Sequence, residues 1–383
     1  MKIITVIGTR AEVIRLSSVI RLLDSYSDHV LVNAGQSEDP RLSPLFFEDL
    51  GVREPDFDLG IKGEGFADQV GQIFAKSEQL LLEERPDRLL ILGDANGGLT
   101  ALIARRLGIP VYHMEAGTRC HLNRAPEEIN RRVIDHASTI LMPYTERNRE
   151  NLLREGFSSD KIYVTGNPIK EVIDYYSDYI SESSVLDDLG LDPDKYFLVT
   201  LHRPDYVDHP GRLRQLIDAL GLLRVQYKLP VVCSLHPYLR SKIKDLGLDL
   251  ECVGLQFIEP CGFFDFIRLE QDAFCMLSDS GPVQEEACIL GVPNVTICDV
   301  TERPETLECG SNVIAGCDPE RILQLVNMVV REERSWRPPT EYLANQVAET
   351  ACRILTSFHQ PDAGEAAWQE RPYLQLRSRG YAV

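Results

Sequence analysis

A short apolar run that stops at a glycine or an acid and continues as an amphipathic helix recurs along this chain, and no other feature limits the fold as tightly. The first copy is the β-branched run 2–7, then Gly8-Thr9-Arg10-Ala11-Glu12, then residues 13–23 with apolar side chains at helical spacing. Residues 29–34, 88–92, 110–114, 139–143 and 161–165 repeat the strand pattern in the first half. Residues 196–201, 229–235, 255–258, 273–277 and 294–298 repeat it in the second. Strands that alternate with helices need crossover connections, so each sheet is expected to be parallel with helices on both faces. A chain of 383 residues exceeds one typical core, and Gly166-Asn167-Pro168 breaks the pattern. The expected class is α/β, with two doubly wound parallel-sheet Rossmann-like domains facing a cleft. Their expected bounds are 1–168 and 169–358, followed by a tail, 359–383, that wraps back or frays.

Charge and cysteine usage exclude several partners. The formal net charge of −19 argues against nucleic acid and against an anionic membrane surface. No apolar run reaches the roughly 18 residues needed to span a bilayer. Residues 1–7 lead straight into Gly8 without the apolar region and cleavage site of a signal peptide, so a cytoplasmic location is expected. The ten cysteines are scattered, with no C-x-x-C pair. Buried reduced thiols are expected rather than disulfides or a zinc site.

The candidate chemistry collects where strands end. After the run 273–277 comes Ser278-Asp279-Ser280-Gly281-Pro282, and a helix then carries Gln284, Glu285 and Glu286. A strand, a tight turn and a helix start form an anion pocket, because backbone N–H groups and the positive end of the helix dipole converge there. An ordinary capping box is the plain alternative. Arg10 and Arg15 stand near the first helix start, where a guanidinium can take a phosphate; two surface arginines are the plain alternative. Asp94 follows the strand 88–92 and Glu115 follows 110–114, while Glu127 and Arg131 lie four apart on the next helix. An internal Glu127–Arg131 ion pair explains the last two without function. Converging acids explain them with function, one held protonated by its neighbours and another acting as base. His202, beside Arg203, and His236 end the strands 196–201 and 229–235 and are candidate ligands for an anion. A structural histidine is the alternative at each.

Together, Gly8-Thr9-Arg10-x-Glu12, Gly93-Asp94, His113-x-Glu115-Ala116-Gly117-x-Arg119, Pro126-Glu127-Glu128-x-Asn130-Arg131, His202-Arg203, Asp279-Ser280-Gly281-x-x-Gln284-Glu285-Glu286 and Thr301-Glu302-Arg303-Pro304-Glu305 resemble the non-hydrolysing UDP-N-acetylglucosamine 2-epimerase family. The resemblance spans about residues 1–358. Ile14-Arg15-Leu16-Ser17, the stretch 46–52 and Glu115-Ala116-Gly117-x-Arg119-Cys120 are most similar to the branch that forms UDP-N-acetyl-L-fucosamine. The resemblance implies a GT-B-like pair of Rossmann domains, a homodimer, no metal or nicotinamide cofactor, and a UDP-2-acetamido sugar as substrate. It implies anti elimination of UDP to a 2-acetamidoglycal and re-addition after C2 is reprotonated on the other face. By the same resemblance Asp94, Glu115, Glu127 and His202 form the catalytic group, with the three acids sharing proton transfer. Arg10, Arg15, Arg131, His236, Phe266, Ser280, Gly281, Glu286 and Arg303 hold the nucleotide and sugar, Phe266 packing on the uracil unless it is simply a core residue.

Several positions depart from the family pattern: Ala11, Ser37, Ala95, Gly97, Gly98 and Pro282. They are expected to line the cleft and to enlarge or reshape the sugar pocket near Asp94. A hydrolysing epimerase, a glycosyltransferase of the same architecture and an inactive UDP-sugar sensor remain the competing readings.

Overall fold

β1 (Lys2–Ile7) is buried from Ile3 to Ile7, and β4 (Arg88–Leu92) is buried along its whole length. That is why both read as unbroken apolar runs: a parallel strand covered on both faces has no solvent side to alternate with. The computed structural model describes residues 1–35, 47–63, 65–120, 126–201, 209–234, 239, 241–243, 247, 255–331 and 333–357.

The chain forms two compact units, Met1–Val172 with the segment from Ala344 onwards, and Ile173–Leu343. In the first, β1 leads through α1 (Arg10–Tyr26) to β2 (Asp28–Asn33) and the two-residue edge strand β3 (Phe57–Asp58). α2 (Phe66–Glu84), β4, α3 (Thr100–Arg106), β5 (Val111–Met114), α4 (Pro126–Ala137), β6 (Ile140–Met142) and α5 (Glu146–Arg154) follow. The sheet is parallel with order β3-β2-β1-β4-β5-β6. The order reverses direction between β1 and β4. In an open α/β sheet that reversal opens a crevice beyond the carboxyl ends of the two strands. Gly8-Thr9-Arg10 and Gly93-Asp94 therefore flank the crevice of this unit.

α6 (Ile169–Tyr175) carries the chain across, and α7 (Ser177–Ser181) and α8 (Val185–Leu189) follow. The second sheet alternates β7 (Phe197–Thr200), α9 (Pro210–Tyr227), β8 (Val231–Ser234), β9 (Gln256–Ile258), α10 (Phe263–Gln271), β10 (Cys275–Ser278), α11 (Gly281–Leu290), β11 (Asn294–Thr296), α12 (Pro304–Cys309), β12 (Asn312–Ile314) and α13 (Pro319–Val329). Its strands are all parallel, in the order β12-β11-β10-β7-β8-β9, with the reversal between β7 and β10. The turn 278–281 sits at that reversal. The Thr200 hydroxyl, on the last residue of β7, lies 2.6 Å from that of Ser278, the last of β10.

Three expectations need correction. The expected boundary at 166–168 precedes the observed one. The last stretch before the tail, expected within the second domain, turns at Gln346, whose φ is +63°. Its main part, α14 (Val347–Ser357), belongs to the first unit. The Glu171 carboxylate accepts the N–H groups of Val347 (2.7 Å) and Ala348 (3.3 Å) at the start of α14. At its other end the buried Arg88 guanidinium donates to the Leu355 carbonyl. Thirdly, 161–165 is no full strand. Only Ile162 bridges to Leu141, with Tyr163 N–H bonding the Leu141 carbonyl at 2.9 Å.

Arg88→Met is expected to release α14, since a charged donor to a helix carbonyl contributes about 1.5–3 kcal/mol. Amide exchange should accelerate in 347–357 and stay unchanged in 319–329. Equal acceleration in both segments contradicts the placement of α14 on the first unit.

Candidate active site

Glu115 directly follows β5 in the left-handed conformation, with φ +65°. A non-glycine residue costs about 1–3 kcal/mol there and persists only when its surroundings enforce it. Here they do. Its carboxylate, 8% exposed, faces the Arg15 guanidinium at 3.3 Å and the Tyr144 hydroxyl at 3.4 Å. Arg15 is itself 3% exposed and lies over the Tyr144 ring, so it is no surface arginine. Gly93 follows the neighbouring strand β4, and a Cβ there would stand 3.8 Å from the Glu115 carboxylate. Asp94 comes next, paired with Arg131 at 2.6 Å. Two carboxylates beyond adjacent strand ends are thus each matched by an arginine.

The turn that carries Glu115 is held from behind. His113 Nδ1 contacts Asp135 at 2.7 Å and its Nε2 contacts the Gly93 carbonyl at 2.8 Å. Asp135 also takes the Gly117 N–H at 3.2 Å and Arg119 at 2.7 Å, and Arg119 grips Glu155 through two nitrogens. Burial opposes the charge on Asp135, but His113 and Arg119 together hold its carboxyl below the usual range. Gly117 has φ +77°, and a Cβ there would meet the Asn148 carbonyl oxygen at 2.3 Å, so only glycine fits.

Expected site residues fall unevenly around this frame. Asp94, Glu115, Arg15 and Arg131 gather at the carboxyl end of the first sheet. Glu127 stands exposed in the first turn of α4, and Arg131 pairs with Glu128, the next residue along, at 3.5 Å. Glu128 is buried. Burial opposes its charge, but the Cys120 N–H, Arg132 and Arg131 hold its carboxyl below the usual range. Arg10 is half-buried in the first turn of α1. A side chain at Gly98 would point at Ile134 and Ile91 in the core, so this departure does not face a sugar pocket. His202, Arg203, His236 and Ser37 lie outside the described residues.

Reading the sequence placed Glu12 in the Gly8-Thr9-Arg10-x-Glu12 motif without giving it a role. Thr9 caps α1 and Glu12 completes a capping box, its carboxylate accepting Gly8 N–H at 2.6 Å and Thr9 N–H at 2.9 Å. The Thr9-x-x-Glu12 spacing was a usable signal. Burial pushes the Glu12 carboxyl up to about 8, with nearby Asp94 adding to the shift and the two N–H groups opposing it.

In the second unit Ser280 occupies the N-cap position of α11 with extended backbone, and its side chain makes no cap bond. The capping-box explanation of this motif therefore fails. Gly281 is buried beneath Arg303, whose guanidinium carbon would lie 3.5 Å from a Cβ there. Arg303 is itself fixed by a buried ion pair with Glu285. Gln284 accepts from Thr301 (2.5 Å) and Asn312 (3.1 Å), and Asn312 accepts from Asn294 and Thr296 at 2.8 Å each. This buried polar ladder ties α11 to Thr301 in the loop before α12 and to Asn312 in β12. Glu286 is 7% exposed, and Phe266 packs partly buried against the core. Among the described residues no cluster of side chains could hold a metal ion, and no helix is long and apolar enough to cross a membrane.

The family model described as UDP-N-acetylglucosamine 2-epimerase matches residues 23–356. The chain belongs to the UDP-N-acetylglucosamine 2-epimerase family. The UDP-N-acetylglucosamine 2-epimerase of Methanocaldococcus jannaschii is 36% identical over 366 residues, covering 93% of this chain and 99% of that protein. The UDP-2,3-diacetamido-2,3-dideoxy-D-glucuronate 2-epimerase of Pseudomonas aeruginosa is 37% identical over 330 residues, covering 85% and 91%. A crystal structure of the M. jannaschii enzyme in complex with UDP-GlcNAc and UDP matches with a TM-score of 0.88 at 36% identity, covering 94% of this chain and all of that one. The two doubly wound units are thus those of the 2-epimerase family, with the GT-B-like fold that the resemblance implied.

The Glu12 carboxyl gives a pH signature. Between its unfolded value near 4.5 and about 8 the folded chain keeps a proton that the unfolded chain releases. Its contribution to stability is therefore full below about 4.5 and is lost as pH rises through about 8. Against Glu12→Gln, which carries no such proton, the wild type should lose melting temperature steadily from pH 5 to pH 8. A constant difference across that range contradicts the assignment.

Proposed function

We propose that this protein inverts C2 of a UDP-2-acetamido sugar by eliminating UDP and adding it back, a non-hydrolysing 2-epimerase reaction. The observation that carries the reading is Glu115, a buried carboxylate kept in a costly backbone conformation at a strand end and matched to Arg15 beside the Asp94–Arg131 pair. Membership of the family and the names of the relatives support it.

The chemistry needs two things that such residues supply. The C2 proton is weakly acidic, so a carboxylate must meet it as the C1–O bond breaks, the C1=C2 bond forms and UDP leaves with the electron pair. A positioned base of this kind contributes about 10²–10⁴-fold. On the return, an acid on the opposite face gives C2 a proton while a phosphate oxygen rejoins C1. Asp94, Glu115 and Glu127 are the proton-transfer group in this proposal, with His202 assisting departure of the diphosphate. Charge developing on UDP must also be met by fixed donors. Arg10, Arg15, Arg131, His236, Ser280, Gly281 and Arg303 serve this purpose, with Glu286 accepting from ribose hydroxyls and Phe266 against the uracil. We assign the enzyme to cytoplasmic precursor supply for a cell-surface polysaccharide, acting as a homodimer.

Proton NMR in D2O with a panel of UDP-2-acetamido sugars tests the reading, including the gluco, L-talo and L-fuco configurations. Loss of the C2 proton signal with growth of the 2-epimer, without net release of UDP, is expected for at least one sugar. Free UDP accumulating with a reducing sugar would make the enzyme a hydrolysing one. Saturable binding without exchange on every sugar would remove the epimerase reading.

A further inference from the structure

Cys288, in the last turn of α11, and Cys309, the last residue of α12, have no place in the reaction described above. Their Sγ atoms meet at 3.6 Å, and both are free thiols. A disulfide holds its sulfurs about 2.05 Å apart, so an approach of about 1.5 Å separates this contact from a bond. Cys288 is buried, whereas Cys309 is partly exposed and is the sulfur that an oxidant meets first. The Ser311 hydroxyl lies 3.4 Å from Cys309 Sγ. The Cys288 thiol holds the Cys309 thiol below its ordinary range; burial opposes this and Ser311 assists. An accessible sulfur with thiolate character beside a second thiol is the arrangement that oxidises selectively.

The same two helices hold the anion-binding turn. Cys288 stands one turn beyond Gln284 and Glu285, through which α11 binds Thr301, Asn312 and Arg303. On α12 the Thr306 hydroxyl donates to the Arg303 carbonyl at 2.7 Å and accepts from Asn312 at 3.1 Å. Trp336 Nε1 donates to the Cys288 carbonyl at 3.1 Å and anchors that end of α11. α12 has six residues and ends at Gly310, whose φ is +90°, so it is the element that yields.

We propose that Cys288 and Cys309 form a reversible dithiol–disulfide site, oxidised by a hydroperoxide, and that the bond draws α12 towards α11 and shifts Arg303 away from the nucleotide-binding turn. This rests on the reading of that turn and Arg303 as ligands of UDP. With hydrogen peroxide, the Cys309 sulfur takes one oxygen as a sulfenic acid while the O–O bond breaks and the other oxygen leaves as water. Cys288 then attacks that sulfur, the S–S bond forms, the S–O bond breaks and a second water leaves with the last thiol proton. Two electrons pass from the sulfurs to the peroxide, and a small dithiol reverses the bond by exchange.

The experiment treats the purified full chain with hydrogen peroxide and maps linked peptides by mass spectrometry. UDP binding is measured by calorimetry before treatment, after it and after reduction with dithiothreitol. The wild type should form the 288–309 link. Loss of one well-placed donor to the diphosphate predicts UDP binding weaker by about threefold or more, restored by the reductant. Cys309→Ser, checked for native melting, should bind UDP as the reduced wild type does and keep that affinity through treatment. The wild-type comparison requires no variant to fold. Oxidation of other thiols without the 288–309 link overturns the proposal, as does a linked wild type with unchanged UDP affinity. Loss of affinity on treatment in Cys309→Ser equal to that of the wild type overturns it too. A wild type that forms the link but binds no UDP when reduced overturns the functional reading instead, and with it the effect on Arg303 though not the dithiol.

Discussion

The contact between Arg15 and Glu115 is the interaction on which the rest of the first unit's crevice depends. A carboxylate buried to this extent without a cation beside it would neutralise itself by taking up a proton. A residue with φ +65° would also relax if its turn were loose. The guanidinium answers the first demand. The buried set of His113, Asp135 and Arg119 answers the second by fixing β5, the turn after it and α4 to one another. An apolar version of that set would pack, yet it would not tie the Gly93 carbonyl and the Gly117 N–H to the same centre. The polar network aligns two strand ends at once.

The second unit achieves comparable rigidity by different means. Its turn lies on a ladder of side-chain amides and hydroxyls, from Asn294 and Thr296 through Asn312 to Gln284 and Thr301. Asn294 donates to Thr296 and Asn312 while its own side-chain oxygen takes no bond, and the ladder from Thr296 through Asn312 to Gln284 is joined by successive donors and acceptors. The Arg303–Glu285 pair closes the set. The turn itself contributes little capping of its own, which leaves the Ser280 side chain uncommitted to the helix.

Much of this fold was legible from periodicity. The apolar runs of β1, β4 and β10 stand out because both faces are covered. Short or polar elements were not legible. β3 has two residues, and β12 is built on Asn312, which is there for the ladder rather than for strand propensity. The stretch 161–165 has a strand's composition but only one bridging residue. Nothing local in the terminal helix says which sheet it covers. At the candidate site, motifs drew attention to Asp94, Glu115 and Arg131, which the fold gathers beyond the strand ends of the first sheet. The burial of Glu128 beside the exposed Glu127 and the core-facing direction of Gly98 depend on contacts between distant elements, which a spacing pattern does not carry.

The central claim is that the buried, arginine-matched carboxylate of Glu115 moves the C2 proton. Deuterium wash-in at C2 of a turned-over UDP-2-acetamido sugar in D2O, compared between wild type and Glu115→Gln, tests it most directly when UDP affinity is measured alongside. The account predicts wash-in slower by about 10² or more with UDP affinity nearly unchanged. Wash-in at close to the wild-type rate in a folded Glu115→Gln variant would contradict it.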